Sequence, residues 1–167
     1  IVLGDFREPA ATLIYQLKFG ARLALADLFA QRLAQALRDA GAACPDLLVP
    51  VPLSAARLAQ RGFNQSWEIA RRLGRALGVP ARPDLIVKTR ATPPQSQLPF
   101  RARSRNVYGA FAWAPDCNAF KLSDLHLGVV DDVMTTGATL AAVDDLLRTR
   151  QVGALTHCVV LRTPARG

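Results

Sequence analysis

Asp131 and Asp132 stand side by side where the apolar run "LHLGVV" ends, and "VMTTGAT" follows them directly. Two adjacent carboxylates repel, and in a partly dry crevice donors or a cation must answer that repulsion. The vicinal hydroxyls of a ribose supply two donors, and a magnesium ion on a polyphosphate supplies a cation. Side chains alternate between faces along a strand, so both acids can act on one ligand only if the backbone already turns at this pair. The turn residues Thr135, Thr136, Gly137, Ala138 and Thr139 lead into a helix. At a helix N-terminus, unpaired N–H groups and the positive end of the dipole favour an anion. Gly137 permits backbone angles that aim successive N–H groups at one phosphate, and the threonines add hydroxyl donors. Alone, the turn reads equally well as a helix cap and a bend. Behind an apolar strand and two acids, it reads as a sugar-phosphate site.

The elements that must position these residues follow from periodicity. From Pro9 to about Ala40 the spacing of Leu13, Leu17, Leu25, Leu28, Phe29 and Leu33 predicts helices, with Gly20 and Gly41 as stops. "DLLVPVPL" predicts a short buried strand that ends near Val49 or Val51, because each proline removes a ladder donor. A loop, "SAARLAQRGF", follows with room for one helical turn, and then a helix capped by Asn64 and ended by Gly78. "DLIVKTR", "VYGAFAW", "LHLGVVDDV" and "ALTHCVVLRT" predict four further strands, the last two flanking the helix "LAAVDDLLRTR". Strands alternating with helices indicate an α/β fold with a mainly parallel, five-stranded sheet flanked by helices. One domain spans 1–167, with a helical N-terminal part at 8–41 and a core at 46–164. Residues 91–106 show no hydrophobic period, and so long a loop inside a compact domain points to function or disorder.

Composition narrows the class. At 167 residues, 50% hydrophobic and 20% charged, the chain is sized and composed as one globular domain. No apolar stretch reaches the roughly 18 residues of a membrane span, and no secretory pattern opens the chain. Cys44, Cys117 and Cys158 are three and far apart, with no metal-ligand spacing, so a reducing, cytoplasmic setting is expected. His126 and His157 are isolated and read as internally satisfied rather than as metal ligands. The net charge of +8 favours polyanionic partners, either nucleic acid or polyphosphate metabolites.

"VVDDVMTTGAT" resembles the phosphoribosyl diphosphate (PRPP) signature of type I phosphoribosyltransferases. "VPVPLSAARLAQRGFNQS", "TRATPPQSQL", "RSRNVYGAF" and "LRTP" together resemble the ComF family of competence-associated phosphoribosyltransferase-like proteins, from about Tyr15 to Pro164. That family commonly carries an N-terminal four-cysteine zinc ribbon, which these 167 residues do not contain, so no zinc is expected here. The resemblance implies transfer of ribose 5-phosphate from PRPP to a nucleobase or amine, with release of pyrophosphate. It implies that Asp131 and Asp132 hold the ribose hydroxyls, directly or through magnesium that arrives with PRPP. It gives residues 135–139 to the 5′-phosphate and makes Ser54, Arg57, Arg61 and Gly62 candidates for the pyrophosphate. Arginine suits that task because its planar fork clamps phosphate oxygens in pairs.

The segment from Arg90 to Arg105 resembles the mobile hood that closes over PRPP and excludes water, with Arg90, Gln95, Arg101 and Arg105 in reach of pyrophosphate or acceptor. The same basic loop could track a nucleic-acid backbone, although Phe100 is its only stacking aromatic. Purine-salvage members place an aspartate where this chain has Thr135, which speaks against a typical purine acceptor. A second reading is therefore a non-catalytic PRPP or nucleotide sensor that serves DNA uptake, with DNA or DNA-processing proteins as partners.

Overall fold

The structure, a computed structural model, describes residues 1–89, 109–115, 117 and 121–164. Its central sheet has four parallel strands: β1 (Val2–Asp5), β2 (Leu47–Pro50), β5 (His126–Met134) and β6 (Ala154–Arg162), in the order β1-β6-β5-β2. Between β1 and β2 run α1 (Ala10–Gly20) and α2 (Ala24–Asp39). Between β2 and β5 come α3 (Ala55–Arg61), α4 (Gln65–Leu77) and the short strands β3 (Ile86–Lys88) and β4 (Phe111–Trp113). Helix α5 (Ala138–Arg148) crosses from β5 to β6. This is the α/β class that the strand-helix alternation predicts.

The partition of strands differs from expectation. "DLIVKTR" and "VYGAFAW" do not join the main sheet; they form a separate antiparallel pair, with Val87 opposite Ala112. Val87 is exposed, and a ribbon open on one side suits antiparallel pairing, whereas parallel strands need cover on both faces. The sheet's remaining strand is β1, outside the expected 46–164 core. Four residues including Gly4 and Asp5 carry too little pattern to announce it. The expected loop after β2 also contains more helix than one turn. Helix α3 buries none of its residues, so it shows no apolar stripe.

Side chains of β5 feed two cores. Val130 packs with Ile14, Leu17, Leu33, Ile69 and Leu73 beneath α1, α2 and α4. Val129 packs with Leu140, Val143 and Leu147 beneath α5. That is the period of two expected of a strand covered on both faces. Gly128 is required by proximity, since a Cβ there would sit 2.5 Å from the Leu48 side chain on β2. Strand β2 lies at the sheet edge and ends in Pro50, where a missing N–H costs no ladder bond. The tight β2–β5 pairing brings the loop after β2 and the end of β5 to the same rim.

Candidate functional site

Strand β5 continues through both acids to Met134, with Asp131 opposite Val159 and Met134 opposite Arg162 on β6. The backbone does not turn at the pair, and the two carboxylates go to different surroundings. Asp131 helps line a small, shallow concavity with Met134, Thr135, Gly137, Thr139 and Leu140, whose cavity volume is about 10 Å³. Its Oδ1 accepts from Ser66 Oγ at 3.0 Å and from the Asp132 amide at 2.9 Å. Asp132 turns to the α1 and α4 side. Lys18 Nζ from α1 lies 2.5 Å from its Oδ2, and Gln65 Nε2 from α4 donates to its Oδ1 at 3.4 Å.

Both acids are buried, which separates their protonation. Burial, reinforced by the neighbouring Asp132 charge, pushes the Asp131 carboxyl up to about 7. Burial acts against ionised Asp132 too. There the Lys18 charge and hydrogen bond, helped by Gln65, prevail and hold the carboxyl below the usual range. The pair is thus one firmly ionised, ion-paired carboxylate behind one that titrates near neutrality at the concavity.

The turn is built as its composition predicts. Gly137 has φ of +78° and serves as the N-cap of α5, a conformation L side chains rarely adopt. Gly137 itself, having no side chain, makes no capping bond to the helix. The Ala138 N–H donates to Thr136 Oγ1 at 3.3 Å, a long bond that an incoming anion must replace. Thr135 and Thr139 line the concavity together with Asp131.

On the β2 side of the rim, Ser54 is buried at the start of α3 and bridges Lys88 at the end of β3. Arg61 closes α3, and Gly62 follows with φ of +81°. The Arg61 guanidinium donates to Gln65 Oε1 at 2.5 Å and lies 5.3 Å from the Phe19 ring centre on α1. A continuous chain therefore runs from Arg61 through Gln65 to Asp132 and Lys18. Arg57 stands in electrostatic reach of both Arg61 and Lys88. Burial, then the Arg57 charge, lowers the Lys88 ammonium from its ordinary value, with Asp131 pulling the other way. Arg61 is in electrostatic reach of Asp132 and Lys88 of Asp131, with Arg57 near both cations.

All the candidates at residues 131–139 and the candidates Ser54, Arg57, Arg61 and Gly62 fall around this one rim. Arg90, Gln95, Arg101 and Arg105 lie outside the described residues. Sequence reasoning missed Lys18, Gln65, Ser66 and Lys88. For Lys18 a signal existed: Ala11, Ile14 and Lys18 are spaced i, i+3, i+7, which sets a lysine on the buried stripe of α1. His126 and His157 are satisfied internally, by Thr156 Oγ1 at 2.8 Å and by Asp144 at 2.9 Å. Among the described residues, no group of three or more His, Cys, Asp or Glu could hold a metal ion. None of the described helices is long and apolar enough to cross a membrane.

Comparison with known proteins agrees with this architecture. Two structures of a hypoxanthine-guanine phosphoribosyltransferase from Bacillus anthracis superpose with TM-scores of 0.53 and 0.51, at 21% and 20% identity. They cover 86% of this chain and 72% and 70% of their own. At that identity the likeness is one of fold. No protein-family model matches the chain. The DNA utilization protein YhgH of Escherichia coli K12 is 35% identical over 167 residues, covering 98% of this chain and 71% of the relative. Its Salmonella typhi counterpart is 38% identical over 151 residues, 88% of this chain, and the match spans 64% of the relative's own length. Competence protein F of Haemophilus influenzae is 32% identical over 152 residues, covering 89% of this chain and 66% of the relative. By these relationships and its fold, the chain belongs to the ComF family of phosphoribosyltransferase-like proteins.

Proposed function

We propose that this rim binds PRPP and that the protein transfers ribose 5-phosphate from it to a nitrogen acceptor, releasing pyrophosphate. One observation supports the reading above the others: Asp131 shares a concavity with Thr135, Gly137 and Thr139 at the N-terminal start of α5. An acceptor for a sugar hydroxyl thereby stands beside a nest for its phosphate. In the proposed step the acceptor nitrogen bonds to the anomeric carbon. The carbon–oxygen bond to pyrophosphate breaks, its electron pair leaves with pyrophosphate, and the nitrogen gives up a proton. Arg57, Arg61 and Lys88 would meet the charge gathering on the leaving group, where pre-aimed cations stabilise a transition state most. Magnesium would come with the diphosphate of PRPP and would neutralise leaving-group charge, Asp131 and Asp132 being the nearest carboxylates of this rim.

The names of the relatives, DNA utilization protein and Competence protein F, favour a second reading. Here the same site senses PRPP or a nucleotide while the basic surface serves DNA or DNA-processing partners. Both readings require binding, and turnover separates them. PRPP with magnesium is expected to raise the melting temperature, and Asp131→Asn with Asp132→Asn to remove that rise. An unchanged melting curve at saturating PRPP contradicts both. Pyrophosphate release in a screen of nucleobases and amines establishes transfer, and binding without release favours the sensor.

A further inference from the structure

Lys18 is the least expected member of the site. It comes from α1, outside the strand-turn-helix unit, yet its ammonium lies 2.5 Å from Asp132 Oδ2, with both side chains largely withdrawn from solvent. The helix that carries it is fixed close by: Ile14 and Leu17 are fully buried, and Phe19 lies under the Arg61 guanidinium. Adjacent buried carboxylates would present two negative charges just where a sugar phosphate, itself an anion, is to dock. A divalent cation is one remedy. The chain already contains another.

We propose that Lys18 is a positioning residue of the sugar-phosphate subsite: by neutralising Asp132 it leaves Asp131 as the single carboxylate for a sugar hydroxyl, so that a ribose phosphate docks there without a divalent cation. The inference rests on the reading of this rim as a ribose-phosphate site, and goes beyond it in giving the two acids different tasks. Asp131 faces the concavity and Asp132 faces Lys18 and Gln65. Asp132 therefore acts through Lys18, and Lys18 acts on the ligand through the charge it removes. Magnesium then belongs to the diphosphate end of PRPP. A ligand with no diphosphate, such as ribose 5-phosphate, isolates the subsite from the metal.

The test is calorimetric titration of ribose 5-phosphate into wild type, K18R, K18M and the K18M/D132N double variant, in EDTA and in saturating magnesium. Wild type and K18R are expected to bind about equally with and without the metal. K18M is expected to bind at least about tenfold more weakly in EDTA, a modest share of what one nearby charge can exert in a half-buried site. Magnesium closes most of that gap. In the double variant the charges balance again, and binding in EDTA returns to within about threefold of wild type. The double variant also guards against misfolding, since K18M alone strands a buried carboxylate. K18M binding as tightly as wild type in EDTA, or more tightly, overturns the proposal while leaving the ribose-phosphate site standing. So does a double variant no better than K18M. If wild type binds neither ribose 5-phosphate nor PRPP with magnesium, the reading of the rim falls and this inference with it.

Discussion

Two walls meet at the acid pair, and they are made differently. One is continuous chain: β5 runs into the Thr135–Thr139 turn and α5, so Asp131, Gly137 and Thr139 are held by backbone neighbours. The other is assembled from distant segments. Lys18 comes from α1, Arg61 from the end of α3, and Gln65 and Ser66 from the start of α4. On the proposed reading, the first wall offers backbone donors and one carboxylate to a ligand. The second spends its polar groups on the protein itself, in the chain from Arg61 to Lys18. The proposed ligand geometry is local, and the electrostatics that make it tenable are tertiary.

Removing a charge from the assembled wall should cost the most stability. Lys18→Met leaves Asp132 buried and unpaired, so a loss of about 3 kcal/mol is expected in chemical denaturation. Adding Asp132→Asn should recover most of that loss, because a pair removed whole strands no charge. A Lys18→Met protein as stable as wild type would show that the two walls do not differ as described.

Removing the carboxylate from the continuous wall should cost ligand response instead. With PRPP at a hundredfold its Kd, binding stabilises the native state by about 2.7 kcal/mol. Asp131→Asn is expected to lose nearly all of that, read as the missing rise in Tm. Gly137→Ala comes next. A side chain at φ of +78° costs about 1–2 kcal/mol and tilts the amides away from a common point, so both stability and ligand response should fall.

The smallest effect concerns Asp131 in the absence of ligand. Its folded-state carboxyl, raised to about 7, lies above the usual unfolded value, so between those two values the native state holds the extra proton. The stability this group contributes is present in acid and is lost as pH rises toward 7. Asp131→Asn should therefore match wild type near pH 4. At pH 8 it should be the more stable of the two, read as a higher Tm than wild type. The reverse trend, with the variant gaining in acid, would contradict the burial and repulsion assigned to Asp131.

What the sequence revealed follows the same division. The β5–turn–α5 unit could be read because strand period, acids, glycine and helix lie within about twenty consecutive positions, each with a local physical meaning. Helices α1, α2, α4 and α5 and the Asn64 cap were readable for the same reason: the Asn64 side chain accepts from Ser66 N and Trp67 N. Strand β1 was not, because its place depends on hydrogen bonds to β6 more than 150 residues away. The ribbon of β3 and β4 was counted into the sheet because a three-residue strand does not declare its partner. Lys88 and Gln65 could not be found from spacing, since nothing near them in the chain hints at Asp131 or Asp132. Lys18 alone left a trace, a cation on an apolar helix face.

Amide chemical-shift mapping with PRPP and magnesium puts the whole arrangement to the test in one titration. Perturbations should concentrate at Thr135 to Thr139 and at Asp131, and should disappear in Asp131→Asn while the rest of the spectrum stays native. Saturable binding whose shifts fall elsewhere, or persist unchanged in that variant, would contradict a sugar-phosphate site at the end of β5.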